Sequence, residues 1–433
     1  MRERAAPRIG RRRGRRRAHG RVTFMYPTLF KIPYLPDWLA DVKSYGVMMM
    51  IAFLSGIWLS CRRADRTQGN ADIVLNIGFI SLIFGVIGAR AMYVIHYWDT
   101  RFATQPNPIL ATVDIRSGGL EFWGGPLLTI PALAIYLRCF AKVSIRWYLD
   151  MTAPALAWGL AITRIGCFLN GCCWGSTCVD PQDAGRQRAE FPWAVQFPYG
   201  SPAMVQQYRF GQLTIPKELI YALSSGESMP VPRDYFDVAL ADDGQTRRRL
   251  DERYAQSLKD LSAAQAEGAD SPSYKSAREM EHAAREALAG HPATVVGAVE
   301  NQALRYGMNV KELWQLAQHY HSRPIHPTQL YEMISALLIC WLLSKMFYYR
   351  RRHGVVLPWF LVLYSCSRLL HESLRQDNPL DVAGVTISQA ISIATLIAGL
   401  FLLWLIYTRM PLRSPRAAPF VLPETEPPTA RKR

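Results

Sequence analysis

Seven apolar runs punctuate the chain, at residues 45–61, 73–98, 122–141, 148–170, 328–349, 355–370 and 385–408. Most are long enough, at 1.5 Å per residue, to cross about 30 Å of hydrocarbon as helices. The pattern predicts an all-α integral membrane protein with seven transmembrane helices. Between the fourth and fifth runs it changes: residues 179–325 are polar and charged, and within 246–288 the segments DERYAQSLKDLSAAQAEGAD and REMEHAAREALAG read as helical. A mostly helical insert is expected there, most simply a solvated hairpin. The chain then divides into an Arg-rich tail or mis-assigned start (1–24), two membrane portions (25–178 and 326–410), the insert (179–325) and a C-terminal tail (411–433).

Charge orients this arrangement. The formal net charge is +16, but residues 1–24 hold ten arginines and one glutamate and so supply +9 of it, leaving +7 for the rest. That distribution excludes a nucleic-acid surface spread over the molecule, and Met25 opens a more ordinary start than Met1. Lysine and arginine in short loops favour the cytoplasmic side. CRRADR (61–66), the 138–146 segment, YYRRRH (348–353) and TRMPLRSPR (408–416) carry that bias. They lie at the far ends of runs one, three, five and seven. The N-terminal side of Tyr45 is therefore expected outside, the C-terminus in the cytoplasm and the insert in the periplasm, with the arginine-rich tail as the one dissenter.

This orientation places five unusual polar segments on the outer face. Tyr45 begins run one, GGLEFWGG (118–125) begins run three, and TRIGCFLNGCCWG (163–175) ends run four; HPTQLYE (326–332) begins run five and SRLLHESLRQD (367–377) ends run six. Ionisable groups in or beside membrane runs are costly and point to function or to buried pairing. Arg90, Asp150, Arg164, Glu332, Arg368, Glu372 and Arg375 are such groups. The planar guanidinium fork suits phosphate, and at the boundary of a bilayer the abundant phosphates belong to lipid headgroups. A phospholipid substrate follows. Each residue also has a structural reading: Arg368 and Glu372 as an i,i+4 pair, Arg90 as a partner of Asp72 or Asp150, Arg164 snorkelling to the interface, and Tyr45 in an aromatic belt.

Of eight cysteines, Cys61, Cys139, Cys340 and Cys366 sit singly in or beside apolar runs and read as packing residues. Cys167, Cys172, Cys173 and Cys178 are clustered. A disulfide, a zinc site lacking the usual CxxC spacing, and a packing solution all remain open for them. Gly166, Gly171 and Gly175 allow close backbone approach, and Asn170 can both donate to and accept from a headgroup hydroxyl.

Taken in order, GARAMYV, GGLEFWGG, RIGCFLNGCCWG, FPWAVQFP, HPTQLYE and SRLLHESLRQ resemble the prolipoprotein diacylglyceryl transferase family over roughly residues 30–200 and 322–410. The resemblance implies a multi-pass enzyme of the bacterial inner membrane. It would move the diacylglyceryl group of phosphatidylglycerol onto the lipobox cysteine at a prolipoprotein signal peptide, forming a thioether and releasing glycerol phosphate. Membrane lipid and prolipoprotein are then its partners, with no nucleic acid, cofactor or metal. By position, Arg164 resembles the family's phosphatidylglycerol-binding arginine, Arg368 its second essential arginine, Tyr45 its first-run tyrosine and Gly175 a required glycine. Asp150, His326, Glu332 and Glu372 fall on recurrent polar positions.

The chain departs from the family pattern at the proton-transfer end. Trp123 stands where better-known members have a histidine, and Cys167 and Cys172 stand where they have asparagine and glutamate. The base then falls to His326, His371, His96 or Glu332, with His326 preferred because it lies beside Glu332 in one motif. Expected catalytic residues are Tyr45, His326, Glu332, Arg368 and Glu372; expected substrate-binding residues are Arg164, Asn170, Gly171, Gly175 and Arg90. A phospholipid-binding protein of the same fold that has lost catalysis is the alternative that Trp123 raises, and a thiol oxidoreductase using the cysteine cluster is a third.

Overall fold

The computed structural model describes residues 21–22, 27–32, 41–103, 107–114, 119–121, 123–179, 191–222, 227–267, 272–291, 294–375 and 386–414. Most of the 1–24 tail, positions 118 and 122 of GGLEFWGG, positions 376 and 377 and the tail from 415 lie outside them. In chain order the helices are α1 (Ser44–Arg66), α2 (Ala71–His96), α3 (Pro108–Val113), α4 (Gly124–Ile135), α5 (Ile145–Asn170), α6 (Pro202–Arg209), α7 (Arg233–Asp242), α8 (Gln245–Glu267), α9 (Pro272–Gly290), α10 (Val295–Arg305), α11 (Val310–Gln318), α12 (Thr328–Tyr349), α13 (Val356–Glu372) and α14 (Ile387–Arg409). Three pairs of short strands accompany them: β1 (Arg21–Val22) with β4 (Val195–Gln196), β2 (Thr28–Lys31) with β3 (Asp41–Lys43), and β5 (Ile220–Ala222) with β6 (Ser228–Pro230). The chain forms two compact units, Tyr26–Cys173 with Thr328–Arg433, and Trp174–Pro327 with β1.

The first unit carries every predicted apolar run as a helix. Among the described residues, five helices (α1, α2, α5, α12 and α14) are long and apolar enough to cross a membrane. The third run is α4 continued by a π turn over Tyr136–Phe140. Pro131 lies inside α4 and cannot donate to the carbonyl one turn back, an interruption consistent with the irregular winding that follows. α5 is central, packing on α1, α12 and α13, while α2 lies against α4 and α14 against α13. Gly88 and Gly124 let α2 and α4 cross closely, since a Cβ on either would meet the other's carbonyl oxygen. The helix starts are set by local side chains: Asn70 caps α2, Ser144 caps α5, and Thr386 with Gln389 forms a capping box on α14. Phe79, Ile83 and Ile87 of α2, Leu338 and Trp341 of α12 and Phe401 of α14 remain exposed, an apolar exterior suited to lipid.

Hydrogen bonds gather the basic helix ends at one end of this unit. Arg63 donates to the Met151 carbonyl and Ser344 Oγ, Arg352 to the carbonyls of Ile406 and Met410, and Arg146 to those of His353 and Pro411. Asp150, fully buried, pairs with Arg350 at 3.0 Å and accepts the backbone N–H groups of Gly354 and Val356 at 2.6 and 2.8 Å. It pins the α12–α13 turn, which corrects its expected place as a partner of Arg90. The helical rise puts it about 21 Å along α5 from Arg164. Arg146 and Arg164 are about 27 Å apart along the same helix, close to a hydrocarbon thickness.

The second unit has its own core, built from Tyr199, Met204, Leu219, Phe236, Val299 and Leu313. In it α8 and α9 pack together, burying Ser257, Ala264, Ala277 and Ala284, so the expected helical hairpin is present. His291 and Glu300 form a buried 2.8 Å pair beside it.

Candidate active site

The end of the first unit opposite Asp150 holds a network of five charged side chains drawn from three helix ends. Arg164 sits 6 residues before the last residue of α5, Glu332 in the first turn and a half of α12, and Arg368 and Glu372 on one face at the end of α13, with Arg375 just beyond. Glu332 links the arginines: its Oε2 lies 2.6 Å from Arg164 Nε and its Oε1 2.8 Å from Arg368 Nη1. Arg368 also reaches Glu372 at 3.2 Å and donates from Nε to Ser388 Oγ at 3.0 Å. Thr386 Oγ1 donates to Glu372 at 2.9 Å, and Arg375 lies 3.9 Å from Glu372 and 4.0 Å from Glu332. All five side chains are at least 85% buried. Burying ions is tolerable only when they are paired and hydrogen-bonded, as these are. Three cations against two carboxylates leave one positive charge in excess, which matches a phosphodiester.

Arg164, Glu332 and Arg368 line a pocket with Leu160, Tyr364 and His371. Its interior of about 10 Å³ has room for one water, so any larger occupant would have to part these side chains. His371 is 5% exposed. Its Nδ1 lies 2.6 Å from the Ser367 carbonyl, which assigns the proton there and leaves the Nε2 lone pair facing Ser335 Oγ at 3.4 Å. This is the histidine the structure places in the pocket. The preferred His326 belongs to the other unit, where its N–H donates to the Ser176 carbonyl and its ring lies 5.3 Å from Phe191. Gly175 is in that unit too, its N–H donating to the His326 carbonyl. His96 pairs with Glu121 at the surface.

Arg90 does not join the network. Its guanidinium donates to the carbonyls of Thr112, Gly119, Ala111 and Asp114 at 2.7–2.9 Å, so it holds the chain around α3 against α2. That corrects its expected partnership with Asp72 or Asp150, and its engaged donors make it a positioning residue. Trp123 precedes α4 and is 44% exposed.

The α5 end is shaped by glycines and cysteines. A Cβ on Gly166 would press on Tyr45 and Met48, so α1 approaches α5 here and Tyr45 sits beside the turn bearing Cys167. Gly171 ends α5 in the left-handed conformation at φ 69°, after Asn170, and Cys173 repeats that conformation at φ 60°. The two peptide carbonyls in this loop are pinned from α12: Gln329 Nε2 donates to the Cys172 carbonyl and Thr328 Oγ1 to that of Cys173, both at 2.7 Å. Both side chains are fully buried. The loop thereby turns Cys172 and Cys173 back toward Cys167, and the three sulfurs lie within 4.8 Å of one another. All eight cysteines are thiols. The Cys173 thiol is pushed well down from its ordinary value by hydrogen bonds from Cys167 and Cys172, with Arg375 and Arg164 reinforcing the shift against burial.

The family model for prolipoprotein diacylglyceryl transferase matches residues 27–226 and 279–405. The chain belongs to that family. Among relatives, a phosphatidylglycerol–prolipoprotein diacylglyceryl transferase of Rhodopirellula baltica is 27% identical over 84% of this chain and 72% of its own length. One of Vibrio cholerae is 35% identical over 41% of this chain and 58% of its own length, and one of a Shewanella species 32% over 37% and 55%. The prolipoprotein diacylglyceryl transferase match covers both halves of the membrane unit and so contains Arg164, Glu332, Arg368 and Glu372. It omits residues 227–278, which carry α7, α8 and part of α9.

Proposed function

We propose that the chain is a phosphatidylglycerol–prolipoprotein diacylglyceryl transferase of a bacterial inner membrane. It crosses seven times, with the N-terminal side of Tyr45 outside, the C-terminus cytoplasmic and the charged network at the periplasmic face. The observation that carries this reading is the Arg164–Glu332–Arg368–Glu372 network, with Arg375 beside it, at the helix ends opposite the basic cluster. The clustering of Arg63, Arg146 and Arg352 at the other end supports the orientation through the positive-inside rule.

The headgroup phosphate competes with Glu332 for Arg164 and Arg368. Two guanidinium forks then face the oxygens from which the diacylglyceryl carbon departs. The acceptor thiolate attacks that glyceryl carbon in line; the new S–C bond forms as the C–O bond breaks, and the electron pair leaves with glycerol phosphate. The leaving phosphate gains a second negative charge, which donors already in place stabilise without reorganisation. His371 Nε2 is the pocket's acceptor for the thiol proton. Tyr45 and Asn170 border the headgroup, and Gly171 gives it room. Arg90 keeps the α3 segment in place.

Complementation tests this directly. The wild-type chain, expressed in a bacterium depleted of its own transferase, restores prolipoprotein lipidation, and Arg164→Ala at equal membrane abundance does not. Failure of the inserted wild type would overturn the reading.

A further inference from the structure

Cys167, Cys172 and Cys173 form the densest set of metal-ligating atoms among the described residues, with every sulfur within 4.8 Å of the other two. Three thiolates at tetrahedral zinc, with bonds of about 2.3 Å, stand roughly 3.8 Å apart, so side-chain rotations of about an ångström close the set. A disulfide would join two of them and strand the third. The backbone is built for this convergence rather than relaxed around it. Cys173 is held at φ 60°, a value uncommon for a non-glycine residue, and the carbonyls of Cys172 and Cys173 are fixed by Gln329 and Thr328. Cys172 and Cys173 are only partly buried, so the set is not sealed off.

A donor to the set is also in place: Arg164 Nη1 lies 3.8 Å from Cys167 Sγ, one of the three sulfurs. Four-sulfur sites are closed and structural, whereas three protein ligands leave the fourth tetrahedral position to a reactant. The proposed transfer calls for such a position. A thiol of ordinary pKa is only a few per cent ionised at neutral pH, and zinc deprotonates a coordinating thiol outright.

We propose that Cys167, Cys172 and Cys173 bind a zinc ion whose fourth position takes the acceptor cysteine of the prolipoprotein as its thiolate. Its substrate rests on the transferase reading; the site itself does not. The acceptor S–H loses its proton, taken up by water or His371, as the Zn–S bond forms. The bound sulfur then attacks the glyceryl carbon, the C–O bond breaks, and glycerol phosphate leaves with the electron pair. The thioether product is a weak ligand and departs, returning the site. No electron is exchanged, so no oxidant or reductant enters.

The experiment uses the full chain purified in phosphatidylglycerol nanodiscs. Metal analysis should find one zinc per chain, retained in Cys178→Ser and lost in Cys167→Ser and Cys173→Ser. The ligand-preserving Cys172→His should keep it, which separates lost ligation from misfolding. Chelated wild type should lipidate a lipobox peptide roughly thirtyfold more slowly at neutral pH, the ratio between full ionisation and a free thiol of pKa near 8.5. That deficit should shrink as pH rises toward 9, because the free acceptor then ionises unaided, and added zinc should restore the rate. Absence of zinc from well-folded protein, or a disulfide among the three cysteines, would overturn the site. Undiminished lipidation by metal-free protein would overturn its role while leaving the transferase standing. Zinc-loaded, phosphatidylglycerol-binding protein that forms no lipidated peptide would instead overturn the transferase reading and with it the zinc's role in that reaction.

Discussion

Arg164 and Glu332 form a 2.6 Å ion pair between the end of α5 and the start of α12, and the other carboxylate oxygen of Glu332 holds Arg368. One carboxylate therefore bridges two arginines from different helices. Removing one preorganised donor from a developing oxyanion costs about 10²–10³ in rate. Arg164→Ala and Arg368→Ala should each lower lipidation by that order. Arg164→Lys should not restore it, since an ammonium cannot present two parallel donors. Initial rates on a lipobox peptide, with phospholipid saturating, measure this.

Glu332→Gln should separate stability from substrate affinity. Removing one partner of a buried pair costs about 3–5 kcal/mol because the cations left behind are uncompensated. The variant should melt at lower temperature than the wild type. Phosphatidylglycerol should raise its Tm by more than it raises the wild type's, because the phosphate supplies the missing anion. Thermal unfolding in detergent with and without added phosphatidylglycerol reads both effects.

Arg90→Ala should behave as a structural lesion. Its four carbonyl partners are hydrogen-bonded to a charge, each such bond being worth about 1.5–3 kcal/mol. Proteolysis around residues 107–121 should accelerate in the variant, while the KM for phosphatidylglycerol in the fraction that remains folded stays unchanged.

His353, in the turn between α12 and α13, links stability to pH. Burial, and then the charges of Arg350 and Arg146, lower its pKa to about 4, and its Nδ1 accepts the Ser414 N–H at 3.2 Å. The folded state thus binds fewer protons than the unfolded state between about pH 6.5 and 4. Its contribution is full above pH 6.5 and is lost as pH falls toward 4. Unfolding midpoints across that window should fall more steeply for the wild type than for His353→Gln.

Much of this molecule is legible in its sequence, and for a definite reason. Apolar runs of helix length have few other stable forms, and a charge within one is costly enough to point to a partner; that is how Arg164, Glu332, Arg368, Glu372 and Arg375 stand out. What was hidden depends on backbone groups, which a sequence does not display. Arg90 takes four carbonyls, and Asp150 takes backbone N–H groups along with Arg350, so neither partner set could be read from charged residues alone. The cysteine convergence needs two left-handed residues, at Gly171 and Cys173, and only the glycine advertises one. Thr386 and Ser388 lie at the start of the last apolar run, where nothing in the sequence signals that their hydroxyls complete the network around Glu372 and Arg368.

Transfer of a diacylglyceryl group can be weighed directly. Purified chain in phosphatidylglycerol nanodiscs is incubated with a lipobox peptide and the products are weighed by mass spectrometry. The expected products are a peptide heavier by one diacylglyceryl group on its cysteine and glycerol phosphate in equal amount, with neither from Arg164→Ala. An unmodified peptide after incubation with folded wild-type protein that binds phosphatidylglycerol would contradict it.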